Sequence, residues 1–336
     1  MLLPLLLTVI PLPTAAQRGF PGGTATMLRF GCSQLVIDRI DPLVNPGVAP
    51  SPHMHQVVGG NAFNVSMPYT DIAEIATCTT CSFADDLSNY WTANLYFRAR
   101  NGTYKRVKQV PNSKGGVTAF KPGFRMLTGD AARREKADMK SQTCFRCFDG
   151  PGFDGDFLAP CADPARDTEE LPQKPCYGVR SNILYPTCWD GQNLDSPDHK
   201  SHVAYPVAGP QLFTGNQVGE ECPPTHPVKI PQLMLEIIWN TTEFMNKDDW
   251  PEDGKPFVLS TGDTTGYGQH GDYVFGWKGD SLQRALDSSC LGARCADLKV
   301  QSVEEAGRCK VPVRVEEDFE GWMAKLPGNP MMEWGK

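Results

Sequence analysis

Histidines are the residues of this 336-residue chain whose types and spacing are best suited to chemistry, and there are only six of them. His53 and His55 stand two apart in Ser51-Pro-His-Met-His-Gln56, and residues two apart on a strand face the same side, so both imidazoles can converge on one point. His199 and His202 stand three apart in Asp195-Ser-Pro-Asp-His-Lys-Ser-His202, which in a helical turn again gives them one face. His226 lies in Cys222-Pro-Pro-Thr-His-Pro227 and His270 in Gly266-Tyr-Gly-Gln-His-Gly-Asp272. Each falls in a stretch rich in Gly, Pro or Asp, where a rigid scaffold presents functional side chains. Imidazole is the commonest protein ligand for zinc and copper, and it also titrates near neutral pH. The pattern suits a metal site or an acid/base pair. For any single histidine, bracing a loop through a backbone carbonyl is the plainer role.

The carboxylates nearest these histidines are Asp190, Asp195, Asp198, Asp263 and Asp272. Two carboxylates on opposite sides of a sugar would suit glycoside hydrolysis. In Gly-rich loops the plainer role of Asp is an Asx turn. The catalytic candidates are therefore His53, His55, Asp190, Asp198, His199, His202, His270 and Asp272. Trp91, Trp189 and Tyr267 flank the same stretches as flat rings suited to stacking on a substrate sugar; for Trp277, on an apolar strand, core packing is the better reading. In the alternative, metal-binding reading, His53, His55, His199 and His202 share one site as ligands, and Asp190 or Asp198 fixes a ring tautomer. A copper oxygenase that ligates through an N-terminal histidine is disfavoured, because cleavage after Ala16 would leave Gln17 first and no histidine precedes His53.

The elements that must position these residues belong to an exported chain. Residues 1–16 form an uncharged apolar run ending in Thr14, Ala15 and Ala16, which reads as a signal peptide. No other segment is long and apolar enough to span a membrane. All twelve cysteines follow it, and an even count in an exported chain predicts a disulfide framework. Cys78/Cys81 and Cys144/Cys147 have zinc-like spacing, but disulfides are the preferred reading. Asn64, Asn101 and Asn240 begin glycosylation sequons. A net charge of −7 leaves no broad cationic face for nucleic acid.

With 32 Gly and 29 Pro punctuating it, the chain favours short strands and loops over long helices. Strands are predicted at Met27–Ile37, Asn94–Arg98, Leu233–Trp239, Phe257–Ser260 and Tyr273–Trp277, and helices at Asp71–Ala76, Ala131–Lys140 and Ser281–Ser288. The expected fold is mainly β: a single disulfide-stapled β-sandwich or jelly-roll-like domain over residues 17–310, with long loops and a few short helices. Residues 311–336 read as a peripheral C-terminal tail.

The stretches Arg39-Ile-Asp-Pro42, Asn45-Pro-Gly47, Ser51-Pro-His-Met-His55, Tyr90-Trp91 with Leu95-Tyr96, Cys188 to His202, Cys222 to Val228 and Ser260 to Asp272 carry a family resemblance. Together they resemble the secreted fungal and bacterial domain of unknown function numbered nineteen ninety-six. The resemblance runs from about Met27 to Cys309. It implies an extracellular protein, often fungal, and places the six histidines in motif segments. It carries over no catalytic residue.

The leading expectation is an extracellular carbohydrate-active protein, hydrolase-like, with a His/Asp-lined cleft and a polysaccharide or cell-wall glycan as partner. The alternatives are a secreted metal-binding protein, with a divalent metal on the histidine cluster, and a non-catalytic wall-associated binding module. Oligomeric state is left open.

Overall fold

The computed structural model describes residues 27–28, 30–109, 113–115, 120–136, 143–153, 161, 163, 165–209, 221–230, 232–288 and 290–328. The expected signal peptide lies outside them. Antiparallel pairing organises most of the rest. The sheet that matters for function has five strands in the order Arg125–Gly129, His270–Val274, Asn89–Ala93, His55–Gly59 and Gln34–Asp38, each antiparallel to its neighbour. A second five-stranded sheet runs Asp167–Thr168, Thr143–Phe148, Gly178–Leu184, Met234–Asn240, Lys108–Gln109. Leu95–Arg98 sits between Phe257–Leu259 and Tyr104–Arg106 in a three-stranded sheet, and shorter pairings complete the set. Among the described residues α-helix is confined to Ser281–Asp287 and Val303–Arg308. The chain is mainly β, with several antiparallel sheets.

Both five-stranded sheets feed one core. Val58, Tyr90 and Tyr273 from the first meet Phe145, Val179, Ile183 and Ile237 from the second. The opposite face of the first sheet, through Val57, Trp91 and Val274, packs on Ile40, Leu43, Phe63, Met67 and Ile72 in a separate cluster. The first sheet is therefore covered on both faces, and polar residues on it such as His55, Thr92 and Asp272 are buried.

Strands with buried polar residues were hidden from sequence reading, because these residues break the apolar pattern. Gly178–Leu184 is buried throughout, although it carries Arg180, Ser181 and Asn182. Arg180 faces Glu236 at 3.5 Å, and the Trp239 indole N–H donates to Ser181 Oγ at 3.1 Å. Next to it Arg146 clasps Asp167 in a two-point pair at 2.7 and 2.6 Å. The helix predicted over Ala131–Lys140 does not form across its described part, residues 131–136, which make turns and irregular chain. Asp130 Oδ1 takes the Ala132 N–H, and the Arg134 guanidinium donates to the Ala131, Arg133 and Thr261 carbonyls, so side chains compete with helical bonding. The predicted Asp71–Ala76 helix shrinks to a 3-10 turn at Ile72–Glu74, and the strand predicted at Tyr273–Trp277 starts earlier, at His270.

All twelve cysteines are paired: Cys32–Cys81, Cys78–Cys309, Cys144–Cys161, Cys147–Cys176, Cys188–Cys222 and Cys290–Cys295. The four cysteines of the zinc-like spacings all go to disulfide partners. Cys78–Cys309 fixes the start of the C-terminal segment to the loop that precedes the Asn89–Ala93 strand. Beyond it, the Arg314 and Val315 N–H groups donate to the Asp38 carboxylate, Arg39 pairs with Glu317 at 3.0 Å, and Met323 exchanges backbone hydrogen bonds with Tyr104. The described part of the tail lies on the surface and is tied down.

Candidate metal centre

The sheet register explains how histidines far apart in sequence meet. His55 pairs with Ala93 on one side and Asp38 on the other. Across the Asn89–Ala93 strand, Asp272 pairs with Trp91, and carrying that register two residues on sets His270 against Ala93. His55 and His270 thus flank one alanine in a single row. Two strand spacings separate their backbones by about 9.6 Å. Because only a methyl group stands between them, the rings lean together to a centroid separation of 5.9 Å. His53, just before its strand, brings its ring to 4.3 Å from that of His55 and 5.1 Å from that of His270. One ligand atom from each of the three lies within 4.8 Å of the other two.

The surrounding backbone sets how the rings are turned. His55 donates Nδ1–H to the Ile40 carbonyl at 3.1 Å, and His270 donates Nδ1–H to the Gly268 carbonyl at 3.3 Å. Both bonds leave the Nε2 lone pair aimed inward, the orientation that ligating histidines adopt when the other nitrogen is tied. His53 Nε2 stands 3.3 Å from His270 Nε2. Two nitrogens bound at ~2.0–2.1 Å to one tetrahedral ion would be about 3.3–3.4 Å apart.

Two carboxylates complete the cluster. Asp41 Oδ1 accepts the Leu43 and Val44 N–H groups, while its Oδ2 lies 3.8 Å from His55 Nε2. Asp272 Oδ2 lies 3.8 Å from His270 Nε2. Among the described residues neither Asp272 oxygen, nor His55 Nε2, has a hydrogen-bond partner, and both side chains are buried. Unpartnered buried groups of this kind are costly, so their convergence calls for an explanation. Gly271 matters here: a Cβ on it would come within 2.6 Å of the Tyr185 hydroxyl and 3.2 Å of Ile183, so glycine lets the second sheet close behind Asp272.

Burial dominates the electrostatics. It pushes the Asp272 carboxyl well above its ordinary range, helped by Asp41 and opposed by Lys200. Burial, then His55, brings His270 down to about 4, against Asp41 and the Gly268 carbonyl. Burial also lowers His55, opposed by Asp41 and the Ile40 carbonyl. For His53, burial, the neighbouring His55 and His270, and Arg39 all act downward. The rings are held neutral, which is the state that ligates a metal. Lys200 reaches the same end of the sheet, donating Nζ–H to the carbonyl of Gly129, the register partner of His270, at 2.6 Å.

The expected four-histidine site does not form. The Asp195–His202 loop supplies Lys200 to the cluster, not its histidines. His199 donates Nδ1–H to Asp195 at 2.7 Å. His202 is buried against Phe124, donating Nε2–H to the Arg125 carbonyl at 2.8 Å with Nδ1 2.8 Å from Ser196 Oγ. Both of its nitrogens are in use. His226 braces the Ser201 carbonyl.

The two loop carboxylates act as turn residues. Asp190 accepts the Gln192 and Asn193 N–H groups, and Asp198 accepts those of Lys200 and Ser201 with the Ser196 and Ser201 hydroxyls. For Asp198, burial pushes up, but these donors outweigh it and hold the carboxyl below its ordinary range. The aromatic expectations also change. Trp91 is fully buried, edge-on to Phe63, and cannot stack on a sugar. Trp189 is buried and its indole N–H donates to the Asn193 carbonyl, while the Tyr267 hydroxyl donates to Glu170. Sequence reasoning missed Asp41 and Lys200. His270 and Asp272 were both among the sequence candidates, whereas no spacing pointed to Asp41 or Lys200.

Fold and site together define a mainly β, disulfide-bonded chain with three convergent imidazoles and two adjoining carboxylates. The chain belongs to the family described as Domain of unknown function (DUF1996), whose model matches residues 41–277. The match is narrower than the resemblance expected from Met27 to Cys309, yet it contains Asp41, His53, His55, Lys200, His270 and Asp272. No curated protein and no solved structure matches the chain.

Proposed function

We propose that this is an extracellular metal-binding protein whose centre is His53, His55 and His270, with Asp41 and Asp272 as the adjoining carboxylates. The observation that carries this reading is the convergence of three ligand atoms within 4.8 Å. A donor set of three imidazole nitrogens suits zinc, copper or a neighbouring divalent transition ion. Such an ion supplies Lewis acidity and lowers the pKa of a bound water. The chain's own part is orientation: Ile40 and Gly268 fix two rings, and the partly exposed His53 lies on the side open to solvent.

Export is supported by the six disulfides, by three sequons whose asparagines are all exposed, and by the apolar N-terminal run. No helix among the described residues is long and apolar enough to cross a membrane. A sandwich-like stacking of the two five-stranded sheets is supported by the core they share. The hydrolase-like reading, with a polysaccharide or wall glycan as substrate, keeps the same His/Asp constellation in its favour. It loses Trp91 and Trp189, whose rings are buried, and Asp272 is too deeply buried to give a proton to a polymer. A wall-associated module without catalysis has no use for convergent imidazoles.

The test is thermal. Protein stripped with a chelator should melt lower than untreated protein and recover on adding back zinc or copper. An unchanged melting temperature through stripping and reloading with a panel of divalent ions would count against the centre.

A further inference from the structure

Away from the histidines, a groove of about 670 Å³ opens beside the hairpin that joins Leu95–Arg98 to Tyr104–Arg106. The two 3-10 turns Thr242–Phe244 and Lys247–Asp249 form its other wall. Phe97 and Phe244 stack at its base with centroids 4.4 Å apart and planes 12° apart, and Trp322 stands edge-on to Phe97 at 6.2 Å. The Trp322 side chain is 53% exposed, unusual for an indole held in place by backbone pairing of the next residue, Met323, with Tyr104. Lys105 lies 5.5 Å from the Trp322 ring centre and pairs with Glu243 across the groove. The size falls in the ~300–1,000 Å³ range of small-ligand sites. Flat rings edged by carboxylates suit a pyranose, which has apolar C–H faces and a rim of hydroxyls.

One sugar source is tethered at the spot. Asn101, at the hairpin tip, lines the groove and begins the sequon Asn101-Gly-Thr103. Its Oδ1 accepts the Thr103 N–H at 3.0 Å and the Thr103 hydroxyl at 2.7 Å. That leaves Nδ2, the atom that takes a glycan, with no hydrogen bond among the described residues. A sugar fixed there needs no free affinity, since its tether sets a local concentration in the ~mM range.

We propose that Asn101 carries an N-linked glycan whose first N-acetylglucosamine lies in this groove against Trp322. The attachment balances simply: the Asn101 amide nitrogen forms a bond to the sugar C1 of a lipid-diphosphate-linked oligosaccharide. The C1–O bond to diphosphate breaks and the amide gives up one proton. The proposal rests on the export argued above and is independent of the metal.

The experiment uses the full chain secreted from a glycosylating eukaryotic host. Glycopeptide mass spectrometry should find Asn101 modified. In an Asn64→Gln/Asn240→Gln background, trimming the glycan to one N-acetylglucosamine should leave the melting temperature unchanged, whereas complete removal should lower it by about 1–2 °C, the scale of one contact worth ~1 kcal/mol in a chain of this size. Asn101→Gln should reproduce that loss. Trp322→Ala should lower the glycosylated form by more than it lowers the Asn101→Gln form, which loses only the Phe97 and Lys105 contacts. Sugar at Asn64 and Asn240 but not Asn101 would overturn the groove assignment alone. No sugar at any of the three would overturn it together with the export on which it rests. A melting temperature indifferent to both complete removal and Trp322→Ala would also overturn it.

Discussion

His53 Nε2 and His270 Nε2 stand 3.3 Å apart although 217 residues separate them in sequence. The contact depends on a sheet in which His55 and His270 flank Ala93, with His53 closing over both. Neutral imidazoles this close, beside two carboxylates, gain little as a salt network, because burial opposes their charged forms. They gain a great deal as a ligand set.

Removing a ring of the trio should therefore differ from removing a ring outside it. His270→Ala is expected to cut bound metal from about one ion per chain to a small fraction of that, read by elemental analysis. His202→Ala should keep the ion but lose about 1–3 kcal/mol in denaturant unfolding, since it strands the Arg125 carbonyl. Equal metal loss in both variants would remove the distinction.

How much of this was legible in the sequence varies by element. The His53/His55 spacing was readable, because side-chain alternation along a strand is local. That His270 joins this pair in place of His199 and His202 was not, since it depends on the antiparallel register of three strands and on Ala93 between them. Lys200 was hidden by its own neighbours: His199 and His202 drew attention, and only the pairing of Gly129 with His270 shows which side chain of that loop matters. Strands such as Gly178–Leu184 escaped because buried arginine and asparagine break the apolar pattern that marks a core strand.

Trp91 provides a second contrast. Its indole is fully buried next to Phe63, so Trp91→Ala should cost about 3–5 kcal/mol of stability as a core truncation. The unfolding midpoint in denaturant measures it. A stable variant with weakened glycan binding would restore the substrate role first expected of this residue.

Asp86 makes stability depend on pH away from the metal cluster. Burial raises its carboxyl to about 7, against hydrogen bonds from Ser88 and Tyr90. In the unfolded chain it titrates near ~3.9. Between those values the folded chain binds more protons than the unfolded one, so this group makes stability fall as pH rises from about 4 to about 7. Asp86→Asn should flatten that part of the melting-temperature profile. Parallel profiles for variant and parent would mean that Asp86 is not held protonated.

Thiol labelling of denatured, unreduced protein should find essentially no free cysteine, because all twelve are paired. Two or more labelled cysteines per chain would break the framework that includes the Cys78–Cys309 bond at the start of the tail.

The most direct measurement of the central claim is anomalous scattering from crystals of the protein, collected across the absorption edges of zinc and copper. One strong peak is expected about 2 Å from the Nε2 atoms of His53, His55 and His270. No peak at that point, in crystals grown with either ion, would contradict the metal centre.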